Sequence, residues 1–243
     1  MAGGRAVMMC EVRKAVFPVF ALFLILTALA SVSEAKTIYV PDDYARIQWA
    51  VDNASVGDAI IVRDGNYYEN VVVDKQLTIK SENGYANCII NGGGSTVFTL
   101  KADGIRIEGF TITGGGYGIY ICSNENSISN NNIISNNWGG ISLEDSNNNR
   151  ISENNISNNW HGICLGYSNK SNISNNNIIS NNYYGICLED SNNNSISNNN
   201  ISNNGYGIYI SPYYGIDIGY SNDNSISNNN ISNNDCGILL WGS

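Results

Sequence analysis

Three sets of side chains in this chain could do chemistry. The first is Cys164 and Cys187 with His161, the only histidine. Two thiols and an imidazole suit Cu(I) or Zn(II); the same thiols could instead form a disulfide or stand inert. The second is a series of aromatic residues, Tyr117, Trp138, Trp160, Tyr183, Tyr184, Tyr206, Tyr213 and Tyr214, each one or two positions before a glycine. Flat rings beside Asn amides can stack on sugar faces, and Tyr and Trp suit half-wet surfaces; in the plainer alternative they only close the gap between strands. The third is two acidic pairs, Glu144-Asp145 and Glu189-Asp190. Carboxylates hold calcium or act as the acid and base of glycoside hydrolysis, but no catalytic residue is assigned from so little titratable material.

A repeat must position these groups. Gly118, Gly140, Gly162, Gly185 and Gly207 each open Gly-Ile-x-(Ile/Leu), at spacings of 22, 22, 23 and 22 residues. Gly215 and Gly237 are again 22 apart, after an eight-residue insertion, Ser-Pro-Tyr-Tyr-Gly-Ile-Asp-Ile. Two isoleucine columns keep the period: Ile128, Ile151, Ile173, Ile196, Ile226 and Ile133, Ile156, Ile178, Ile201, Ile231. Such a period signals a solenoid. A leucine-rich repeat would need its leucine pattern and a helical return, and these units carry neither. Each holds three short β-branched pieces between Ser/Asn turns. That predicts a single-stranded parallel β-helix of seven or eight coils, paired in register at about 4.8 Å.

From Asn124 onward, 36 of 120 residues are Asn. The pattern assigns Asn132, Asn155, Asn177, Asn200 and Asn230 to a buried corner ladder of like amides, and Asn tolerates the left-handed backbone of a sharp corner. In this frame Cys164 and Cys187 sit on adjacent coils, within disulfide reach. The aromatic residues form a strip along one corner. Glu144 and Glu189 stand two coils apart, about 9.6 Å, too far for one calcium ion to bridge but tolerable for an inverting glycosidase.

Residues 59–116 read as irregular coils, such as Val71–Val73, Leu77–Ile79 and Cys88–Ile90, then Val97–Leu100, Ile105–Ile107 and Phe110–Ile112. Residues 36–58 hold a strand and, from Pro41-Asp42-Asp43 through Ile47 and Val51 to Gly57, a capped amphipathic helix that would close the end of the sheets. The other end, Ile238 to Ser243, carries no such cap, which reads either as a truncated gene or as an edge that docks on a partner protein.

Arg5, Arg13 and Lys14, an apolar run from Ala15 to Ala30 and Ser33-Glu34-Ala35 have the pattern of a secretory signal over residues 1–35, with a retained anchor as the alternative. The expected location is therefore extracytoplasmic, with no membrane span after cleavage. A net charge of −9 argues against a nucleic-acid partner. Past the signal five cysteines remain, Cys88, Cys122, Cys164, Cys187 and Cys236. The odd number leaves at least one thiol free or paired between molecules. Among the Asn-x-Ser sequons, Asn53 and Asn169 are the two expected to be exposed enough for a glycan.

Thr37-Ile38-Tyr39-Val40-Pro41-Asp42-Asp43-Tyr44, Gly57-Asp58-x-Ile60-Ile61-Val62 and Gly65-x-Tyr67-x-Glu69-Asn70-Val71 look like the opening of secreted right-handed β-helix proteins. With the later Asn-Asn-x-Tyr-Gly-Ile repeats, the chain resembles the NosD-like (PbH1-repeat) family. That resemblance implies a right-handed β-helix outside the cytoplasm and, by name, copper delivery to nitrous oxide reductase. Pectate lyases, pectin esterases, polygalacturonases and uronan epimerases have related openings, but scaffold does not fix function. The leading expectation is a secreted or surface protein, not an enzyme, whose aromatic strip binds a polysaccharide or cell-envelope glycan or a partner. Copper maturation is the second, and a polysaccharide lyase, epimerase or hydrolase the third.

Overall fold

A computed structural model describes residues 34–211 and 221–240. The expected signal segment, Tyr213 and Tyr214 lie outside the described residues. Three parallel sheets run the length of the molecule, and each coil adds one strand to each. Sheet 1 runs from Thr37–Val40 to Ser225–Ser227, sheet 2 from Gly65–Tyr68 to Asn230–Ser232, and sheet 3 from Val71–Val73 to Cys236–Leu240. The result is a right-handed β-solenoid of about eight coils. Among the described residues no helix is long and apolar enough to cross a membrane.

The register is the one the spacing dictates. Ile128 pairs with Ile151, Ile133 with Ile156 and Ile141 with Ile163. From Ile119 to Ile208 the inward isoleucines are all but inaccessible to water. Strands of sheets 1 and 2 are mostly three residues long, one inward isoleucine between two outward polar residues, which is the alternation the pleat requires.

Each coil turns three corners, and each corner in the regular coils has the same two-residue device. Glu125, Asn130 and Ser135 take left-handed φ values of 59°, 57° and 57°. The residues that follow them, Asn126, Asn131 and Asn136, point inward and are buried. Asn154 shows what the inward amide does. Its Oδ1 accepts the backbone N–H and Nδ2 of Asn131 at 3.0 and 3.1 Å, and its Nδ2 donates to the carbonyls of Ile128 and Ser152 and to Asn176 Oδ1. The ladder continues through Asn199 to Asn229. A second runs Asn136, Asn159, Asn181, Asn204, Asn234. The third accepts a serine at one rung, Ser171.

The expected corner column was therefore off by one residue. Asn132, Asn155, Asn177, Asn200 and Asn230 each precede an inward isoleucine, so alternation turns them outward. There they form a separate, less buried chain of amides, Asn155 Nδ2 to Asn132 Oδ1 at 2.8 Å and onward. Outward packing also changes the glycan expectation. Asn169 is half-buried and donates its amide to Asn147 Oδ1 at 3.1 Å, whereas Asn193 and Asn53 are exposed.

The repeat glycines face inward where coils pass closest. A methyl group on Gly162 would lie 2.7 Å from Ile178 Cγ2 and clash with the Gly185 carbonyl, so the requirement is space. The strand after Gly207 pairs with the one after Gly237, Ile208 on Ile238. The eight-residue insertion thus lengthens one coil and adds no strand to sheet 3 among the described residues.

The helix spans Ile47–Asn53 and buries Ile47, Ala50 and Val51 over the end of the core. Its cap differs from expectation. Glu69, from the following coil, accepts the N–H groups of Ile47 and Gln48 at 3.0 and 3.1 Å. Asp42 pairs with Arg63 at 2.6 Å, and Asp43 accepts the Tyr39 N–H. At the other end Ile238 and Leu240 are exposed.

These ladders set a stability prediction. Asn154→Ala orphans a buried backbone N–H and the Asn131 amide, and should cost on the order of 3 kcal/mol. Asn155→Ala, one residue along in the outer chain, should cost less than about 1 kcal/mol. Urea unfolding of the two variants separates them; equal losses would contradict the inward assignment.

Candidate functional site

Sheet 3 carries the longest strands, five or six residues in most regular coils. Their outward positions form three parallel columns. The first runs Tyr117, Gly139, His161 and then Tyr184, Tyr206. The second runs Tyr120, Ser142, Cys164, Cys187, Tyr209. The third runs Glu144, Gly166, Glu189. Just outside the first column, at the corner, stand Trp138, Trp160 and Tyr183, which are 60, 49 and 38% exposed.

The described members of the aromatic series are brought together. Tyr117 meets Trp138 edge-on at 5.4 Å, Trp160 stacks on Tyr183 at 6.0 Å, and Tyr183 lies 4.3 Å from Tyr184. Tyr184 touches Tyr206 and stacks on Tyr209 at 4.5 Å. His161 belongs to the same seam, stacked on Tyr184 at 5.0 Å and 15°. The rings are too exposed at Trp138 and Trp160 for closure of the core to explain them.

Small residues interrupt the bulky columns. Gly139, Ser142 and Gly166 leave a depression of about 210 Å³, walled by Tyr117, His161 and Tyr184 and floored by Cys164, Cys187 and the two glutamates. Glu144 and Glu189 keep the expected separation along the backbone, with Gly166 between them. Glu144 exploits the gap: a methyl group on Gly166 would sit 2.8 Å from its Oε2. Burial, then the charges of Asp145 and Glu189, raise the proton affinity of Glu144. Asp145 is exposed beyond the strand end, at a left-handed corner φ of 48° that Asp190 shares.

The thiols are neighbours and free. Cys164 pairs in register with Cys187. Cys187 is buried, and its hydrogen bond to Cys164, then burial, holds it protonated well above the usual thiol range. Its Sγ also donates to Glu189 Oε1 at 3.7 Å. His161 does not complete a metal centre with them. It stands three residues from Cys164 along the strand, with its ring stacked on Tyr184. Among the described residues no three His, Cys, Asp or Glu side chains gather in a group that could hold a metal ion. The donor set does not fit a copper centre.

Thiols, carboxylates and rings, which in the sequence are three unconnected features, thus share one face. Counting outward positions from each repeat glycine (one before, two after and four after) would have found it, with Gly139, Ser142 and Gly166 as the small outliers.

Burial lowers the His161 pKa to about 4, and its Nδ1 is buried without a partner. The folded state therefore binds this proton less readily than the unfolded chain, whose histidine titrates near 6.5. The neutral ring's stability contribution is complete above pH 6.5 and is lost as pH falls from there towards 4. Unfolding midpoints measured across that window should fall more steeply for the wild type than for His161→Phe. Parallel slopes would show that the ring is not buried as described.

The comparisons with known proteins accord with this architecture. The chain matches 43% of 100 aligned residues in a "Cell surface glycoprotein" of Methanothermus fervidus, across 40% of this chain and 16% of that protein. The fold is similar to pectate lyase Pel9A, with a TM-score of 0.63 and 13% identity over 82% of this chain and 62% of the other. It is also similar to an alginate lyase from Paenibacillus sp. str. FPU-7, with a TM-score of 0.56 and 16% identity over 86% and 99% of the two chains. The chain thus spans a small part of the curated relative and under two thirds of the pectate lyase. The family model described as "Periplasmic copper-binding protein (NosD)" matches residues 51–213, well over half of the chain, and the protein belongs to the NosD family.

Proposed function

We propose that this chain is an extracytoplasmic surface protein that binds carbohydrate along sheet 3, without turnover of the glycan. The observation that carries the reading is the exposed seam of rings, Trp138 and Trp160 among them, beside a depression of sugar-ring dimensions walled by Tyr117 and Tyr184. Rigid rings offer sugar C–H faces a large contact area at little entropic cost, and exposed aromatic surface on a soluble fold marks a contact site. Around the rings, Ser142, Glu144 and Glu189 offer hydrogen-bonding atoms to hydroxyls. The spacing suits a polymer: rings recur once per coil, about 4.8 Å apart, so each coil approximates one sugar residue of an extended chain. The location is supported by the family description, which is periplasmic, and by the relative's printed name, a cell surface glycoprotein.

Copper enters only through the family description, because the described side chains offer a thiol pair and no third donor. A glycan array probed with wild type and with Trp138→Ala/Trp160→Ala tests the reading. Wild type should retain at least one glycan class, and the double variant should bind it on the order of 10- to 100-fold more weakly, about 1.4–2.8 kcal/mol, at unchanged thermal stability. Absence of binding by wild type, or undiminished binding by the variant, would refute it.

A further inference from the structure

We infer that Cys164 and Cys187 are a redox-active pair that a small disulfide converts into a bridge between two coils of sheet 3, with Glu189 taking the proton of the second thiol. The inference does not depend on carbohydrate binding. The two cysteines stand in register on neighbouring parallel strands, His161–Gly166 and Tyr184–Glu189. Strand spacing sets their backbones about 4.8 Å apart, within the range of about 4.4–6.8 Å that a disulfide spans. Ile163, Leu165, Ile186 and Leu188 face the core, so the pleat turns both cysteine side chains to the outer face. Both thiols are free. Their column holds no competing thiol: Ser142 lies beside Cys164 on the preceding coil and Tyr209 beside Cys187 on the next. Cys88 and Cys236 are in register with Gly65 and Tyr206, and Cys122 Sγ donates to the Leu100 carbonyl at 3.4 Å.

A second observation separates this pair from two inert thiols. Cys187 Sγ donates to Glu189 Oε1 at 3.7 Å, so the buried thiol already points its proton at a carboxylate, while half-buried Cys164 reaches solvent. Exposure sets the order of events. Cys164, its proton lost to solvent, attacks one sulfur of a small disulfide R–S–S–R; the bond from Cys164 Sγ to S–R forms and one R–S⁻ leaves. Cys187 Sγ then attacks Cys164 Sγ, its proton passes to Glu189, and the second R–S⁻ leaves. Two thiols are thereby oxidised to one disulfide, and the small disulfide is reduced to two thiols. The hydrogen bond to Cys164, then burial, keeps Cys187 protonated, which is why the second step needs a proton acceptor at hand. Outside the reducing cytoplasm such a bridge persists, and here it closes a loop of one coil at the floor of the depression.

Incubation of the reduced, folded protein with oxidised glutathione, followed by acid quench, alkylation and peptide mass spectrometry, tests the assignment. The main product should be a peptide pair joined through Cys164 and Cys187, and it should form equally in Cys122→Ser/Cys236→Ser. Cys187→Ser should stop at a glutathione adduct on Cys164, and Cys164→Ser should leave Cys187 unmodified. Glu189→Gln should give the same bridge, with the Cys164 adduct persisting on the order of tenfold longer. In wild type, modification of the exposed Cys122 shows that the oxidant is active. Cys164 and Cys187 staying reduced while Cys122 reacts, or a Cys164 adduct that never resolves, would overturn the pair. An adduct on Cys187 in Cys164→Ser would overturn the order of attack, and resolution at the wild-type rate in Glu189→Gln would overturn the role of Glu189.

Discussion

Everything in this molecule depends on the buried amide at each corner. A chain that turns three times in about 22 residues places at least one residue per corner in left-handed backbone, and doing so leaves peptide groups facing a dry core. An unsatisfied buried N–H costs about 1–3 kcal/mol, and nearly every corner of every regular coil has an N–H that would be so orphaned without the inward Asn. The inward Asn supplies an acceptor for the preceding coil's N–H and donors for its carbonyls, so each rung completes its neighbour. Ser171 replaces Asn at one rung and still accepts the Asn149 N–H at 3.2 Å, which shows that the requirement is an acceptor at that place.

With corners satisfied by amides and the interior by isoleucines, outward positions are released from structural duty. Sheets 1 and 2 use the freedom little: their faces repeat Ser and Asn. Sheet 3 differs because its strands are longer and expose more positions per coil, so variation there accumulates into a shaped surface. Where the repeat loses bulk at Gly139, Ser142 and Gly166, a depression opens, and where it gains bulk at Tyr117, His161 and Tyr184, the depression acquires walls.

The family name speaks of copper, and the chain has cysteines and a histidine to suggest it. Position along a strand decides against that set: the thiols stack across coils, while the imidazole is displaced along the strand and packed on Tyr184. A solenoid builds sites readily down its columns, where equivalent residues meet every 4.8 Å or so, and less readily along a single strand.

The period, the register and the identity of the inward isoleucines were legible in the sequence, because a solenoid maps equal spacing onto direct contact. So were the pairing of Cys164 with Cys187, the aromatic corner and the two-coil separation of the glutamates. Which asparagine faces inward was not legible, since adjacent asparagines differ only by the pleat, and one residue of left-handed backbone at the corner resets which of them the pleat turns inward. Nor was the helix cap, which comes from Glu69 on another coil rather than from the nearby Asp42 and Asp43. The chain's own order thus determined the scaffold and the columns. Only the folded solenoid decided that Gly166 would leave room for Glu144 in a depression walled by rings from other coils, because the shape of a surface depends on the side chains that are missing between neighbours as much as on those that are present.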